Sequence, residues 1–267
     1  MFAKFANIFI PLYGMFRIRG VRNRKDLDRK KKRLVRFIDR KYGAISYAIK
    51  TNNDSNLETL CKYYANNNIE YRYGTRAFEY AIKTHNYIAV QNLIKHGQNV
   101  NETDSNGYAP IHYSIRYSCT WNNANIVEIL LDNGALINQI DKNGYTPFYI
   151  ALNNGNIHII QLLINRGTRV NRKIENINIT PLEFASSCLS VEIVKLLLNN
   201  GANIRNSNFN GLSAIGFAKK RTDKMKTKII EVLERWSFTM IITVLQELRV
   251  YSYLDLSTII DINDFVA

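Results

Sequence analysis

Punctuation residues recur along this chain at a near-fixed interval, and that interval limits the fold more than any single motif. Pro110, Pro147 and Pro181 are spaced 37 and 34 and are three of the chain's four prolines. Gly97, Gly134, Gly167 and Gly201 are spaced 37, 33 and 34. Gly74, Gly107 and Gly144 are spaced 33 and 37, Gly211 lies 67 further on, and Asn178 fills the intermediate place. Residues 141–171 show what one interval contains. Residues 141–144 read as a tight turn closed by a glycine. Thr146-Pro147 starts a helix, a hydroxyl to cap free N–H groups and then a residue that needs none. That helix runs to about Asn153, Asn154-Gly155 breaks it, and a second helix places Ile157, Ile160, Leu163 and Ile164 on one face. Gly167 ends the second helix in a left-handed conformation. A helix–turn–helix of this size has too little apolar surface to stand alone, so it must stack on others like itself.

A period of about 33 residues with Thr-Pro at the helix start resembles the ankyrin repeat over 39–240. The resemblance implies an all-α ankyrin-repeat solenoid of about six helix–turn–helix units with helical terminal caps. The units are expected at about 39–70, 71–103, 104–140, 141–174, 175–207 and 208–240. Residues 1–38 precede them as an apolar tip and basic arm, or a cap, and 241–267 follow as a helical cap or short recruiting module. The first unit is recognised by comparison: Tyr47-Ala48-Ile49-Lys50-Thr51 returns at an offset of 33 as Tyr80-Ala81-Ile82-Lys83-Thr84. In the third unit the step from Pro110 to Gly134 is 24, against 20 from Pro147 to Gly167. Four extra residues must therefore sit around 118–123, either as a loop exposing Trp121 or as a lengthened helix with Trp121 tucked in. His112 fills the histidine place of the family's TPLH motif, which implies hydrogen bonds tying neighbouring turns. Tyr149 and Glu183 stand there in the next two units, so those ties are expected to be incomplete. The sixth unit loses the pattern after Ala218, and its second helix is expected late, over 229–236.

The charge is concentrated at one end. Residues 1–41 hold 14 basic and 3 acidic side chains of the 36 and 22 in the whole chain. The run Arg29, Lys30, Lys31, Lys32 and Arg33 is the candidate polyanion-binding segment, on a helix starting near the acids Asp26 and Asp28. Its partner would be an anionic membrane, a nucleic-acid backbone or an import receptor; a solvated capping helix is the alternative. The apolar residues 1–16 are too short to span a bilayer, which needs about 20, and Arg17, Arg19 and Arg22 follow where a signal peptide would need small residues. They read either as an interfacial anchor beside the basic stretch or as a cover on the first unit. Residues 236–267 reverse the sign, with four acids against Arg249 alone. Met240, Ile241, Val244, Leu245 and Leu248 are spaced for one helix, and Asp255 or Ser257 can cap another carrying Ile259, Ile260 and Ile262. These helices either cap the stack or form a weak counterpart of the F-box-like module that ends many poxvirus ankyrin proteins and recruits a ubiquitin ligase.

Nothing in the chain has the spacing of a catalytic or metal motif. There is no phosphate-binding glycine loop, no HExxH and no CxxC. His85, His96, His112 and His158 are scattered, and Cys61, Cys119 and Cys188 fall in separate units, which suits a reducing compartment. We therefore expect no enzyme activity, no cofactor and no small-molecule substrate. The resemblance instead implies binding of another protein through turn tips and the groove lined by the first helices. The positions that carry such contacts in the family correspond here to Arg72, Tyr73, Lys83, Tyr108, Arg116, Tyr117, Lys142, Tyr145 and Phe209, with Trp121 added by the insertion. Tyrosine, tryptophan and arginine suit this role because they combine area with hydrogen bonding. The Asn-, Ile- and Tyr-rich vocabulary is similar in style to ankyrin proteins of large DNA viruses, with those of intracellular bacteria as the alternative, implying an intracellular setting in cytoplasm or nucleus, that of a host cell if the origin is viral.

Overall fold

The computed structural model describes residues 49, 57, 58, 61, 74–117, 124–174, 178–207 and 211–247. They belong to two compact units, residues 1–142 and 143–267. Among the described residues there are ten α-helices, and extended pairing is limited to the isolated bridges Ile174–Ile179 and Ser207–Ser213. The fold is all-α and built from ankyrin-type helix pairs. The expected unit at 39–70, apart from four described positions, the basic run Arg29 to Arg33 and the chain beyond 247 lie outside the described residues.

In the first unit, α1 (Gly74–Lys83) pairs with α2 (Tyr87–Lys95), and α3 (Pro110–Arg116) with α4 (Ala124–Asp132). First helices lie side by side, α1 on α3, and second helices likewise, α2 on α4. Phe78, Ile82, Val90, Leu93, Ile111, Ile115, Val127 and Leu130 form the buried core, and Ile49, Leu57 and Cys61 are buried as well. Each large aliphatic or aromatic side chain so buried contributes about 1.5–3 kcal/mol. Asn86 caps α2 by accepting the Ala89 N–H at 2.8 Å. Gly97, at φ +83°, ends it: the Gly97 and Gln98 N–H groups return to Ile94 O (2.9 Å) and Leu93 O (3.0 Å). This closure needs a left-handed residue, which explains the periodic glycines.

The spacing of Gly74 from Gly107 and Gly144 leads one to expect a turn glycine at all three positions, but Gly74 is the first residue of α1 and not part of a turn. Three residues separate α1 from α2, and α3 ends at Arg116 with α4 described from Ala124. Residues 118–123, with Trp121, are outside the described set.

The second unit repeats the scheme with α5 (Pro147–Asn153) on α6 (Ile157–Asn165), α7 (Pro181–Cys188) on α8 (Val191–Asn199), and α9 (Ala214–Lys219) on α10 (Lys226–Glu247). Here α5, α7 and α9 form one row of neighbours and α6, α8 and α10 the other. The expected starts hold: Thr146 Oγ1 accepts the Tyr149 N–H at 3.2 Å, and Thr180 and Glu183 form a reciprocal capping box. Asn178 takes φ +48° at the place of the missing turn glycine. Asparagine tolerates that region better than most residues.

Two details differ from the sequence reading. On α6 the fully buried positions are Ile159, Ile160 and Leu163, while Ile157 and Ile164 are half-buried at the edges of the stripe. Flanked by both α5 and α8, the helix buries a face centred on 160 and 163 rather than on its first residue. The other difference is α10. One helix of 22 residues runs through what the repeat pattern divides into a short helix over 229–236 and a separate one around 240–248. Nothing between those segments interrupts helix formation, since neither glycine nor proline occurs in 226–247.

Candidate protein-binding face

The turns of the first unit set the frame on which its exposed side chains stand. Asp104 organises the turn at 104–108: its Oδ1 accepts the N–H groups of Asn106 and Tyr108, both at 2.8 Å. Asn106 O then accepts the Lys142 N–H at 3.1 Å, binding this turn to the start of the next. The approach is so close that a Cβ on Gly107 would lie 2.8 Å from Lys142 N. His112 adds a second tie. Its Nδ1 accepts the Ala109 N–H at 3.0 Å, and its Nε2 meets Gln139 O at 3.1 Å.

A third tie has no counterpart in the sequence reading. Asn101 Nδ2 donates to Gly134 O at 2.9 Å and its Oδ1 accepts the Leu136 N–H at 2.8 Å. In the second unit Asn171 repeats this with Gly201 O (2.8 Å) and Asn203 N (2.7 Å). The available signal is Val-Asn at a constant distance after the helix-ending glycines, as in Val100-Asn101 and Val170-Asn171.

On this frame α1, α3 and the preceding turn present a tyrosine and cation cluster. The rings of Tyr108 and Tyr113 lie 5.6 Å apart, and those of Tyr113 and Tyr117 lie nearly parallel at 6.1 Å. The Arg116 guanidinium stands 5.4 Å from the Tyr108 centroid and donates to the Tyr108 hydroxyl at 2.9 Å. Lys83 Nζ lies 5.0 Å from the Tyr117 centroid and 2.7 Å from Glu79 Oε1. Cations over tyrosine faces are held electrostatically by the ring quadrupole, which fixes two otherwise floppy side chains. The Glu79 carboxylate, and then the Tyr117 hydroxyl, push the Lys83 ammonium above its ordinary pKa.

Tyr113 is the buried member of the cluster, and its hydroxyl donates to Asp104 Oδ2 at 2.5 Å. Burial, reinforced by that carboxylate, pushes the phenol up. For Asp104, burial alone would raise the carboxyl, but the Tyr113 hydroxyl and the backbone donors outweigh it and hold the group low. Glu79, Asp104 and Tyr113 do not stand out in the sequence, because nothing local marks the partners that folding gives them.

The structure thus brings four of the expected contact residues together: Lys83, Tyr108, Arg116 and Tyr117. Lys83 and Arg116 are exposed, while Tyr108 and Tyr117 are half-buried. Lys142 is exposed at the next turn, with its backbone fixed by Asn106. Tyr145 belongs to the second unit, where its ring lies 4.7 Å from Tyr149, which meets Phe184 edge-on at 5.2 Å. Burial, foremost, pushes the Tyr149 phenol up. Arg72, Tyr73, Trp121 and Phe209 lie outside the described residues. Among the described residues no group of three or more His, Cys, Asp or Glu side chains could hold a metal ion, and no helix is long and apolar enough to cross a membrane.

A family model described as ankyrin repeats (3 copies) matches residues 45–141 and again 117–208. These matches cover more than half of the chain, which belongs to the ankyrin-repeat family. No curated protein matches it. Ankyrin repeats are in general protein–protein interaction modules, typically scaffolds without catalytic activity.

Proposed function

We propose that the chain is a non-enzymatic scaffold that binds a partner protein through its first helices and turn tips, with the Lys83, Tyr108, Arg116 and Tyr117 cluster as a principal contact. The observation that carries this reading is the pair of exposed cations, each seated on a tyrosine ring at the end of a first helix. Side chains ordered in advance lose less entropy on binding, and broad amphipathic rings supply the area. Further proposed contacts are Lys142, Arg72 and Tyr73 in the first unit, with Trp121 from the insertion, and separately Tyr145 and Phe209 in the second.

A photo-crosslinking amino acid at Tyr117 tests this against the same group at Glu128, an exposed position on α4. The expected result is a discrete protein adduct at 117 that is lost with Arg116→Ala and absent at 128. Equal labelling at both positions would remove the basis for this face. The repeat style, and three cysteines placed in three different repeats, support an intracellular protein, with a host protein as partner if the origin is viral. Recovery of a ubiquitin-ligase component with the unmodified chain, lost when 248–267 is removed, would instead favour an adaptor recruiting through its C-terminal residues. The excess of cations in 1–41 supports a contact with anionic lipid or another polyanion. Retention on anionic vesicles that falls steeply with salt and vanishes when Arg29 to Arg33 are neutralised is the expected behaviour.

A further inference from the structure

The second unit contains a groove of about 620 Å³ between the end of α8, the loop after it and the far half of α10. Its walls include Leu198, Ile204, Arg205, Trp236 and Met240. Arg205 stands in the place of Asn101 and Asn171, at the same distance after a helix-ending glycine. Those asparagines tie to the next turn, but no hydrogen bond or ion pair engages the exposed Arg205 guanidinium among the described residues. Beyond Trp236 the helix loses its cover: Met240 and Ile241 are 45% and 46% exposed, whereas Ile229 and Leu233 on the same helix are fully buried. The groove is thus apolar on one wall with a cation at its rim.

We propose that this groove is the docking site of the chain's own residues 254–265, whose apolar side chains cover Trp236 and Met240 while an aspartate pairs with Arg205. The segment has the matching composition, LDLSTIIDINDF, with Asp255, Asp261 and Asp264 among leucine, isoleucine and phenylalanine. It is also tethered within reach. From Met240 to the helix end at Glu247 is about 10 Å at 1.5 Å per residue. Six intervening residues span up to about 20 Å when extended. Tethering makes the encounter intramolecular, so weak individual contacts suffice.

The test uses the full-length chain with Trp121→Phe, which leaves Trp236 as the sole tryptophan, and reads acrylamide quenching of its fluorescence. Arg205→Glu is expected to raise quenching several-fold. Replacing Asp255, Asp261 and Asp264 together by lysine is expected to do the same. Combining the two changes should restore protection, because the charges are exchanged rather than removed. Arg205 is exposed, so its replacement leaves the core intact. Quenching unaffected by either change would overturn the proposal. So would a response to Arg205→Glu alone, or protection that grows with protein concentration, which would assign the groove to a second copy.

Discussion

His112 Nε2 lies 3.1 Å from the carbonyl oxygen of Gln139, 27 residues along the chain, while its Nδ1 accepts the N–H of Ala109. Because Nδ1 is the acceptor, Nε2 carries the proton, and one fully buried ring satisfies two backbone groups. His112→Leu keeps much of the volume and removes both bonds. Leaving the buried Ala109 N–H unmet costs about 1–3 kcal/mol, and the part-buried Gln139 carbonyl adds less because water reaches it more easily. We expect the variant to lose roughly 2–4 kcal/mol on that basis, read as a lowered urea midpoint with an unchanged slope.

Tyr113→Phe should give a loss that depends on pH. In the folded chain the Asp104 carboxyl is held below its ordinary value by the Tyr113 hydroxyl and two backbone N–H groups, against the opposing effect of burial. A group depressed in this way contributes stability above its unfolded pKa of about 3.9, and the contribution disappears as pH falls through the folded value. The Tyr113 phenol, raised by burial and the carboxylate, adds stability below its unfolded value of about 10, which is lost as pH rises beyond that. The melting-temperature gap between parent and Tyr113→Phe should therefore be full near neutrality. It should close on strong acidification and narrow again in strong alkali. A gap constant across the range would mean that the hydroxyl's bond to Asp104 contributes little.

Gly107→Ala and Gly201→Ala separate two roles of glycine. Both residues have positive φ, +78° and +82°, so each alanine meets a similar backbone penalty, about 1–2 kcal/mol. Around Gly201 a Cβ would find open space, whereas at Gly107 it would collide with Lys142 N and the Asp141 backbone. Neither colliding group is a flexible side chain, so the turn pairing has to open. Gly107→Ala should be clearly the more destabilising of the two in thermal melts.

What can be read from the sequence follows from the range of each interaction. Helix starts at Pro147 and Pro181 and ends at Gly97, Gly134, Gly167 and Gly201 are decided within a few residues, so their spacing yields the unit, the fold class and the family. The buried face of α6 depends on which neighbours flank it, and periodicity alone places Ile157 and Ile164 too centrally and passes over Ile159. The continuity of α10 is hidden because a loss of repeat pattern reads as a break, although the backbone has no reason to stop there. Of the tyrosine and cation cluster, Lys83, Tyr108, Arg116 and Tyr117 are identifiable from their repeat positions. Their organisers are not, since Asp104 with Tyr113 and Asn101 with Gly134 are joined across 9 and 33 residues by folding itself.

Arg221 provides the last test, and it concerns how α9 is held against α7. The side chain is almost completely buried, and its Nη1 donates to Leu189 O at 3.0 Å and Ser186 O at 3.3 Å. The other edge of the guanidinium faces Asp223, whose side chain is half exposed. One cation therefore closes the link between α7 and α8 onto the link between α9 and α10. The two ends should not matter equally. Water can replace Arg221 at Asp223, so Asp223→Asn should change stability little, as for other exposed ion pairs. No water-exposed substitute serves the carbonyls of Ser186 and Leu189, and hydrogen bonds from a charged donor contribute about 1.5–3 kcal/mol. Arg221→Met should therefore lower the melting temperature strongly. Arg221→Lys should recover only part of the loss, because an ammonium lacks the fork that serves carbonyls and carboxylate together. Equal effects of Asp223→Asn and Arg221→Met would place the stabilisation in the ion pair and contradict this assignment.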